Sequence, residues 1–396
     1  MAERAGRACD VLLLVFACAL SLSIAVSEIA LVAALVAWLV SNPRRRPAAP
    51  GFRPVATATL ALVVTWLLAS VFAADPLASL IKARKIYSIV LVLVLLDRVR
   101  DGRAADRLAL AALAGGTLSA GFGLLDFAAG RLAGTDPGLR LDGVFSTAMT
   151  SGNVFAMLAI AAVGECFLRA GAAARLALVG LAFIGAALVG TLTRSSWLAF
   201  VSGSGLIVGV RRPRILLLAV PVLALAIAFG PSQVRHRAAS IVDPTHETNA
   251  GRISLWRSGV EVVRDHPWTG VGLADHYALI ESYRRPDATF HAGHFHNNVV
   301  QVAASTGLLG LLAYAAWMLL VARLLVSSLR RAGVRAAPRA LTALAVWFAF
   351  QVHGMFDWSF GDAEVANQFF LWVGLGLAAG LSGPSRGPAP GDPPRG

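Results

Sequence analysis

The chain has 396 residues, of which 57% are hydrophobic and only 14% charged, with a mean hydropathy of +0.68. A soluble domain carries about 25% charge to solvate its surface, so a single water-soluble domain is excluded. The formal charge of +13 would suggest nucleic acid on a soluble fold. Here the basic residues fall mostly between apolar runs, so membrane topology accounts for them and no nucleic-acid partner is expected.

Apolar runs of about 20 residues, enough to cross a ~30 Å hydrocarbon core, recur along the chain. The predicted fold class is an all-α polytopic membrane protein with about 12 transmembrane helices and one large periplasmic loop carrying short helices. The spans fall near 9–24, 26–41, 54–74, 78–97, 104–127, 146–168, 174–192, 194–210, 213–230, 298–325, 339–357 and 363–382. Residues 1–230 thus hold spans one to nine, 231–297 the loop, and 298–382 spans ten to twelve. Residues 383–396 form a Pro/Gly-rich tail that reads as disordered and cytoplasmic. The start, a short basic stretch before an apolar one, has the outline of a signal peptide. The apolar stretch runs on past Ser27 and Glu28 to Val40, which reads instead as two spans joined by a turn. Cys9, Cys18 and Cys166 lie in or beside apolar runs, leaving no disulfide scaffold or cysteine zinc site for the loop.

Arg4 and Arg7, Arg44 to Arg46, Arg98 to Arg103, Arg169 and Arg175, Arg211 to Arg214, Arg330 to Arg339 and Arg386 all fall on one side of this layout. The positive-inside rule makes that side cytoplasmic, with both termini. The loop 231–297 is then outside. Two places break the rule. Lys82, Arg84 and Lys85 sit near the outer end of the fourth span, and Arg194 sits at the outer junction of spans seven and eight. An arginine in mid-span costs about 2.5–3.5 kcal/mol on insertion scales. Such residues either snorkel to lipid phosphates or build an anion site between helices.

The loop contains seven of the eight histidines, together with Arg235, Arg237, Arg252, Arg257, Arg264, Arg284 and Arg285. Asn249 is expected to cap a helix from about Gly251 to Arg264, with Ile253, Trp256, Val260 and Val263 as its apolar face. Trp256 and Trp268 would lie at headgroup depth. Pro267 stops the helix, and Gly270-Val271-Gly272 reads as a turn. Arg252 would then sit in the first turn, where backbone N–H groups already favour an anion. The loop ends on His291, His294 and His296. Three histidines this close suit a metal, whereas one held at the mouth of a bundle suits a general base. The residues alone read equally well either way.

The run from His296 to Leu311, HNNVVQVAASTGLLGL, resembles the signature of the O-antigen ligase and polymerase superfamily. That signature is His, then Asn, Ser or Gln, nine residues, Gly, two residues, Gly, then Leu or Thr. His296, Asn297, Gly307, Gly310 and Leu311 match it. Arg194 to Trp197, Gly251-Arg252 with Trp256, Asp265-His266-Pro267, Gly270 to Gly272, and Phe356-Asp357 are similar to further family elements, so that the resemblance spans about 145–380.

The resemblance implies a bacterial inner-membrane glycan transferase that needs no metal or other cofactor. It would move a glycan from undecaprenyl diphosphate to an acceptor hydroxyl at the periplasmic face. It makes His296 the base on the acceptor hydroxyl, and Arg194 and Arg252 the holders of the diphosphate. Lys82 or Lys85 corresponds to a basic residue before the loop, Asp357 to an acidic residue after it, and Asn297 lies beside the base in the substrate-binding set. Gly307 and Gly310 would let another backbone approach closely and fix the orientation of His296. The first expectation is a ligase with lipid A-core as acceptor. An O-antigen or exopolysaccharide polymerase, or a protein O-oligosaccharyltransferase, shares the signature. A transporter or flippase would instead place charges near the midplane on repeated, broken helices, and no repeat is seen.

Overall fold

The computed structural model describes residues 1–41, 51–134, 140–274, 276–289 and 291–381. Arg44 to Arg46, Arg386 and the tail 383–396 lie outside the described residues, within which the chain is helical with no strand. In chain order the helices are α1 (Ala2–Ala19), α2 (Ile24–Val40), α3 (Phe52–Val71), α4 (Pro76–Ala83), α5 (Val90–Arg98), α6 (Gly102–Leu132), α7 (Ala148–Leu168) and α8 (Gly171–Gly190). They continue with α9 (Arg194–Arg211), α10 (Pro213–Ala228), α11 (Ser232–Ala239), α12 (Glu247–Asp265), α13 (Tyr277–Ser282), α14 (Asn298–Ala332), α15 (Pro338–Gly354) and α16 (Ala363–Leu381). Several starts are fixed by side-chain caps. Asp101 accepts from the Ala104 N–H at 2.7 Å, and Thr147 from that of Thr150 at 3.1 Å. Asn297 accepts from Val299 and Val300 at 2.9 and 3.1 Å. Each satisfies donors that a helix start leaves open.

Among the described residues six helices are long and apolar enough to cross a membrane, namely α3, α6, α7, α8, α14 and α16. Helix is found in every predicted span, but not every span is one long helix. The fourth is α4, a 3₁₀ turn over Arg84–Ile89, and α5, whose continuous α-helix is only 9 residues. The ninth, α10, has 16 residues with Pro221 inside it. The eleventh ends at Gly354, which leaves Phe356-Asp357 in the connection to α16.

The apolar windows of α7 and α16 are 78% and 83% buried, against 22% for α8 and 28% for α3. A helix that is apolar all round and buried all round is central, so α7 and α16 form the middle of the bundle and α3 and α8 its outside. The main core runs through them, with Phe155, Leu158, Phe350, Phe369 and Leu371 fully buried. At one end of α7, Glu165 takes ion pairs from Arg169 at 2.6 Å and Arg339 at 2.7 Å. At the other end are Thr150 and Asn153, which reach Asp362 and Ser359 in the connection after α15.

Residues 231–297 form a cap with a small core of its own, in which Leu255, Val262, Ile280, Ala292 and Phe295 pack with Ala304 of α14. The cap docks where α14 is broken. Gly307 has φ +64° and ψ −170°, which interrupts the helical ladder. The freed carbonyls of Ala304 and Ser305 accept from the Val271 and Gly272 N–H at 3.0 and 2.9 Å, while Leu308 N–H donates to Pro267 O at 2.7 Å. A Cβ on Gly307 would lie 2.2 Å from Trp268 O, and one on Gly270 2.5 Å from Ala304 O. The expected close backbone approach at Gly307 is therefore made, and its partner is the segment from Trp268 to Gly270.

Three details of the cap differ from the sequence reading. Helix α12 starts at Glu247 after His246, and the Asn249 side chain lies inside it rather than capping it. Arg252 therefore stands past the first turn, and the helix-terminus contribution to anion binding is lost. The buried face is Gly251, Ser254, Leu255, Ser258, Gly259 and Val262, whereas Val260 is exposed. Small residues set the closest approach here, so apolar periodicity pointed to a neighbouring face. Trp256 turns inward, its indole N–H donating to His296 O at 3.3 Å, while Trp268 is exposed.

Candidate active site

His296 stands immediately before the Asn297 cap of α14 and has φ +47°. This is a left-handed conformation that non-glycine residues rarely adopt, and it persists only where surrounding contacts over-determine it. Those contacts are present. The His296 N–H donates to His294 Nδ1 at 3.2 Å, its carbonyl accepts from Trp256, and its Nδ1 lies 3.0 Å from Asp357 Oδ1. Phe295, fully buried between the two histidines, anchors the segment in the cap core, and its N–H donates to Gln301 Oε1 at 2.9 Å.

An ionised carboxylate only accepts hydrogen bonds, so His296 Nδ1 is the donor to Asp357, and in the neutral ring the lone pair falls on Nε2. Burial alone would raise the Asp357 carboxyl. The hydrogen bond from His296 and the neighbouring imidazoles outweigh it and hold the group below the usual carboxylate range. The ring of His294 lies 4.0 Å from that of His296, centroid to centroid. Burial first, and then His296, push the His294 imidazole down to about 4, so it is neutral at neutral pH and its Nδ1 can accept.

Arg252 approaches this pair from α12, within electrostatic reach of Asp357. Burial pulls its guanidinium below the usual arginine value, against the opposing pull of Asp357. Among the described residues, the Arg252 guanidinium makes no hydrogen bond or ion pair. Arg194 is different. It is buried, and its two terminal nitrogens donate to Ser240 O at 2.6 Å, Ser240 Oγ at 2.9 Å, Thr248 Oγ1 at 2.6 Å and Asn249 Oδ1 at 2.8 Å. All four acceptors are neutral, so its charge is not cancelled while its hydrogen-bonding fork ties α9 to the cap.

Lys82 and Lys85 are exposed, and Lys85 Nζ donates to Gly361 O at 2.6 Å. Both line a recess of about 210 Å³ with Trp66, His276, His294 and Trp358. The two lysines thus share a cavity wall with His294, while the arginines gather elsewhere around the pair. Asn297 caps α14, and its amide donates to Met355 O at 3.0 Å, which ties the base-bearing turn to the connection holding Asp357.

One ligand atom each of His294, His296 and Asp357 lies within 4.8 Å of the others. Two imidazoles and a carboxylate are a plausible donor set for a divalent ion. The same Asp357 oxygen also serves as the acceptor that orients His296.

Sequence reasoning missed two basic residues. Arg140 donates from Nε to Thr191 O at 2.9 Å and from Nη2 to Thr193 Oγ1 at 2.7 Å, directly beside Arg194. Burial, then the nearby charges of Arg237 and Arg252, lower its guanidinium, with Asp142 opposing. In the sequence Arg237 is one of many loop arginines. The available signal was Arg140's place on the side where the charge rule expects few basic residues.

No curated protein matches the chain. Residues 178–315 match the family model described as O-antigen ligase. The matched segment holds Arg194, Arg252 and His296 and stops before Asp357, so the imidazole–carboxylate contact joins it to the helices that follow. Over residues 178–315, about a third of its length, the chain is similar to the O-antigen ligase family.

Proposed function

We propose that this membrane protein transfers an oligo- or polysaccharide from undecaprenyl diphosphate to an acceptor hydroxyl, with His296 as general base. The observation that carries the proposal is the His296–Asp357 contact at 3.0 Å beside Arg252, a guanidinium with no hydrogen-bonding partner among the described residues. His296 Nε2 takes the acceptor proton as the hydroxyl oxygen attacks the anomeric carbon. The bond from that carbon to the diphosphate breaks, and its electrons leave on a phosphate oxygen. Arg252 and the neighbouring arginines stabilise that charge as it develops in a poorly solvated site. A correctly placed base contributes about 10²–10⁴-fold. Attack opposite the leaving group inverts the anomeric centre.

The layout proposed with this chemistry has twelve spans in the bacterial inner membrane, both termini cytoplasmic and residues 231–297 in the periplasm. The arginines then stand where a lipid diphosphate presents its headgroup. The recess that includes Lys82, Lys85 and Trp358 is the proposed acceptor side. The acceptor in this reading is lipid A-core, in keeping with the description of the matched family.

Deleting the gene and running lipopolysaccharide on a gel tests the proposal. Lipid-linked polymer that accumulates without core attachment is the expected result. Single-repeat products would make the chain a polymerase, and unchanged lipopolysaccharide would count against both. Metal independence is part of the reading, so EDTA should leave transfer by purified protein unchanged. Loss with EDTA and recovery with zinc would reassign His294, His296 and Asp357 as ligands.

A further inference from the structure

The arginines around the site outnumber those the sequence motifs supply, and their hydrogen bonds divide them into two kinds. Arg140 and Arg194 are built into the fold. Arg140 pins the Thr191–Thr193 turn, in which Leu192 has φ +50°, and Arg194 follows directly at the start of α9. Arg194 in turn fastens the cap through Ser240, Thr248 and Asn249. Arg237 of α11 and Arg252 of α12 have guanidinium groups with no hydrogen bond or ion pair among the described residues. Both stand about one turn from residues that Arg194 holds, Arg237 before Ser240 and Arg252 after Thr248 and Asn249, which brings them within electrostatic reach of Arg140 and Arg194. Asp142 acts on Arg140 and Asp357 on Arg252, and among the described residues neither forms an ion pair with any of the four.

Four like charges gathered with so little counter-charge repel one another, and such an arrangement needs an anion to complete it. We infer that Arg140 and Arg237 complete, with Arg252 and Arg194, a cradle for two adjacent phosphate groups. Arg252 and Arg237 contact the phosphates by bidentate hydrogen bonds. Arg140 and Arg194 form the charged wall behind them, and Arg194 is the latch that holds α12 in place. This rests on the transferase reading for the identity of the donor, but binding can be measured without turnover. A monophosphate would leave part of the cradle unfilled, so the cluster discriminates by phosphate number.

The test is equilibrium binding to the full-length protein in nanodiscs, with undecaprenyl diphosphate, undecaprenyl phosphate and inorganic pyrophosphate as probes. The lipid diphosphate should bind at least tenfold tighter than the lipid monophosphate. Arg140→Gln and Arg237→Gln should each shrink that ratio to below threefold, and Arg237→Lys, which keeps a charge without the fork, should fall between. Pyrophosphate should compete with the lipid diphosphate more weakly than the lipid binds. Equal binding of the two lipids to the wild type would overturn the inference. So would folded variants that keep the wild-type ratio, even with a lower melting temperature, since that marks a purely structural role. Pyrophosphate binding as tightly as the lipid would overturn the lipid headgroup as the source of the phosphates. A wild-type chain that binds the lipid diphosphate selectively but transfers no glycan would sink the transferase reading and leave the cradle standing.

Discussion

The helical bundle and the cap of residues 231–297 are held together by different means. The bundle is a continuous apolar core around α7 and α16. Lipid offers no hydrophobic drive between helices, so its cohesion comes from close packing. The cap has a core of only a few side chains. It is tied down by main-chain hydrogen bonds to the break in α14, by the Arg194 latch, and by the contacts that hold His296 in a left-handed conformation. The difference teaches where function resides. Directional bonds fix angles that packing leaves loose, and the candidate base and the arginines lie along the seam between the two regions.

Substitutions on the two sides of that seam should behave differently. The largest effect is expected from Gly307→Val, whose side chain would collide with Trp268 O and whose φ is positive. Transfer should fall below detection and protease should cut within 231–297, while far-UV circular dichroism stays near the wild-type signal. An intact, protected cap would sever the link between the α14 break and docking. Next comes Asp357→Asn, which can donate to His296 Nδ1 and so favour the wrong tautomer. A fall in kcat of about 10²-fold or more, with donor affinity within threefold, is expected from the analogous effect in catalytic triads.

Arg194→Lys keeps the charge but loses the fork that reaches Ser240, Thr248 and Asn249. Hydrogen exchange over 240–252 should quicken about tenfold, and unchanged exchange would mean that the latch carries no load. The smallest effect on chemistry belongs to the bundle. Leu95→Ala, at a fully buried position, should cost about 2–4 kcal/mol of stability, with activity per folded molecule within twofold of wild type.

The same contrast explains what the sequence made legible. Apolar helices were readable because apolar length is a one-dimensional property, and the break in the fourth apolar run was not, since the 3₁₀ turn at Arg84–Ile89 leaves no mark in hydropathy. His296 and Asp357 could be named from motif likeness, but their contact joins residues 61 apart in sequence and is set by tertiary structure. Arg252 could likewise be named from motif likeness, whereas the helix-terminus argument for it fails, since the helix begins earlier than its capping pattern suggested. Arg140 was missed because it stands alone in a connection, with no periodicity or spacing to mark it. Its partners, Thr191 and Thr193, come from a turn that only the packed fold brings near.

The most direct test of a base seated on the cap and a phosphate cradle at the seam is a paired measurement on His296→Ala, purified and reconstituted. The expected result is transfer reduced about 10²–10⁴-fold, with undecaprenyl diphosphate binding within twofold of wild type. Full transfer by the folded variant would contradict the assignment of His296 as the base.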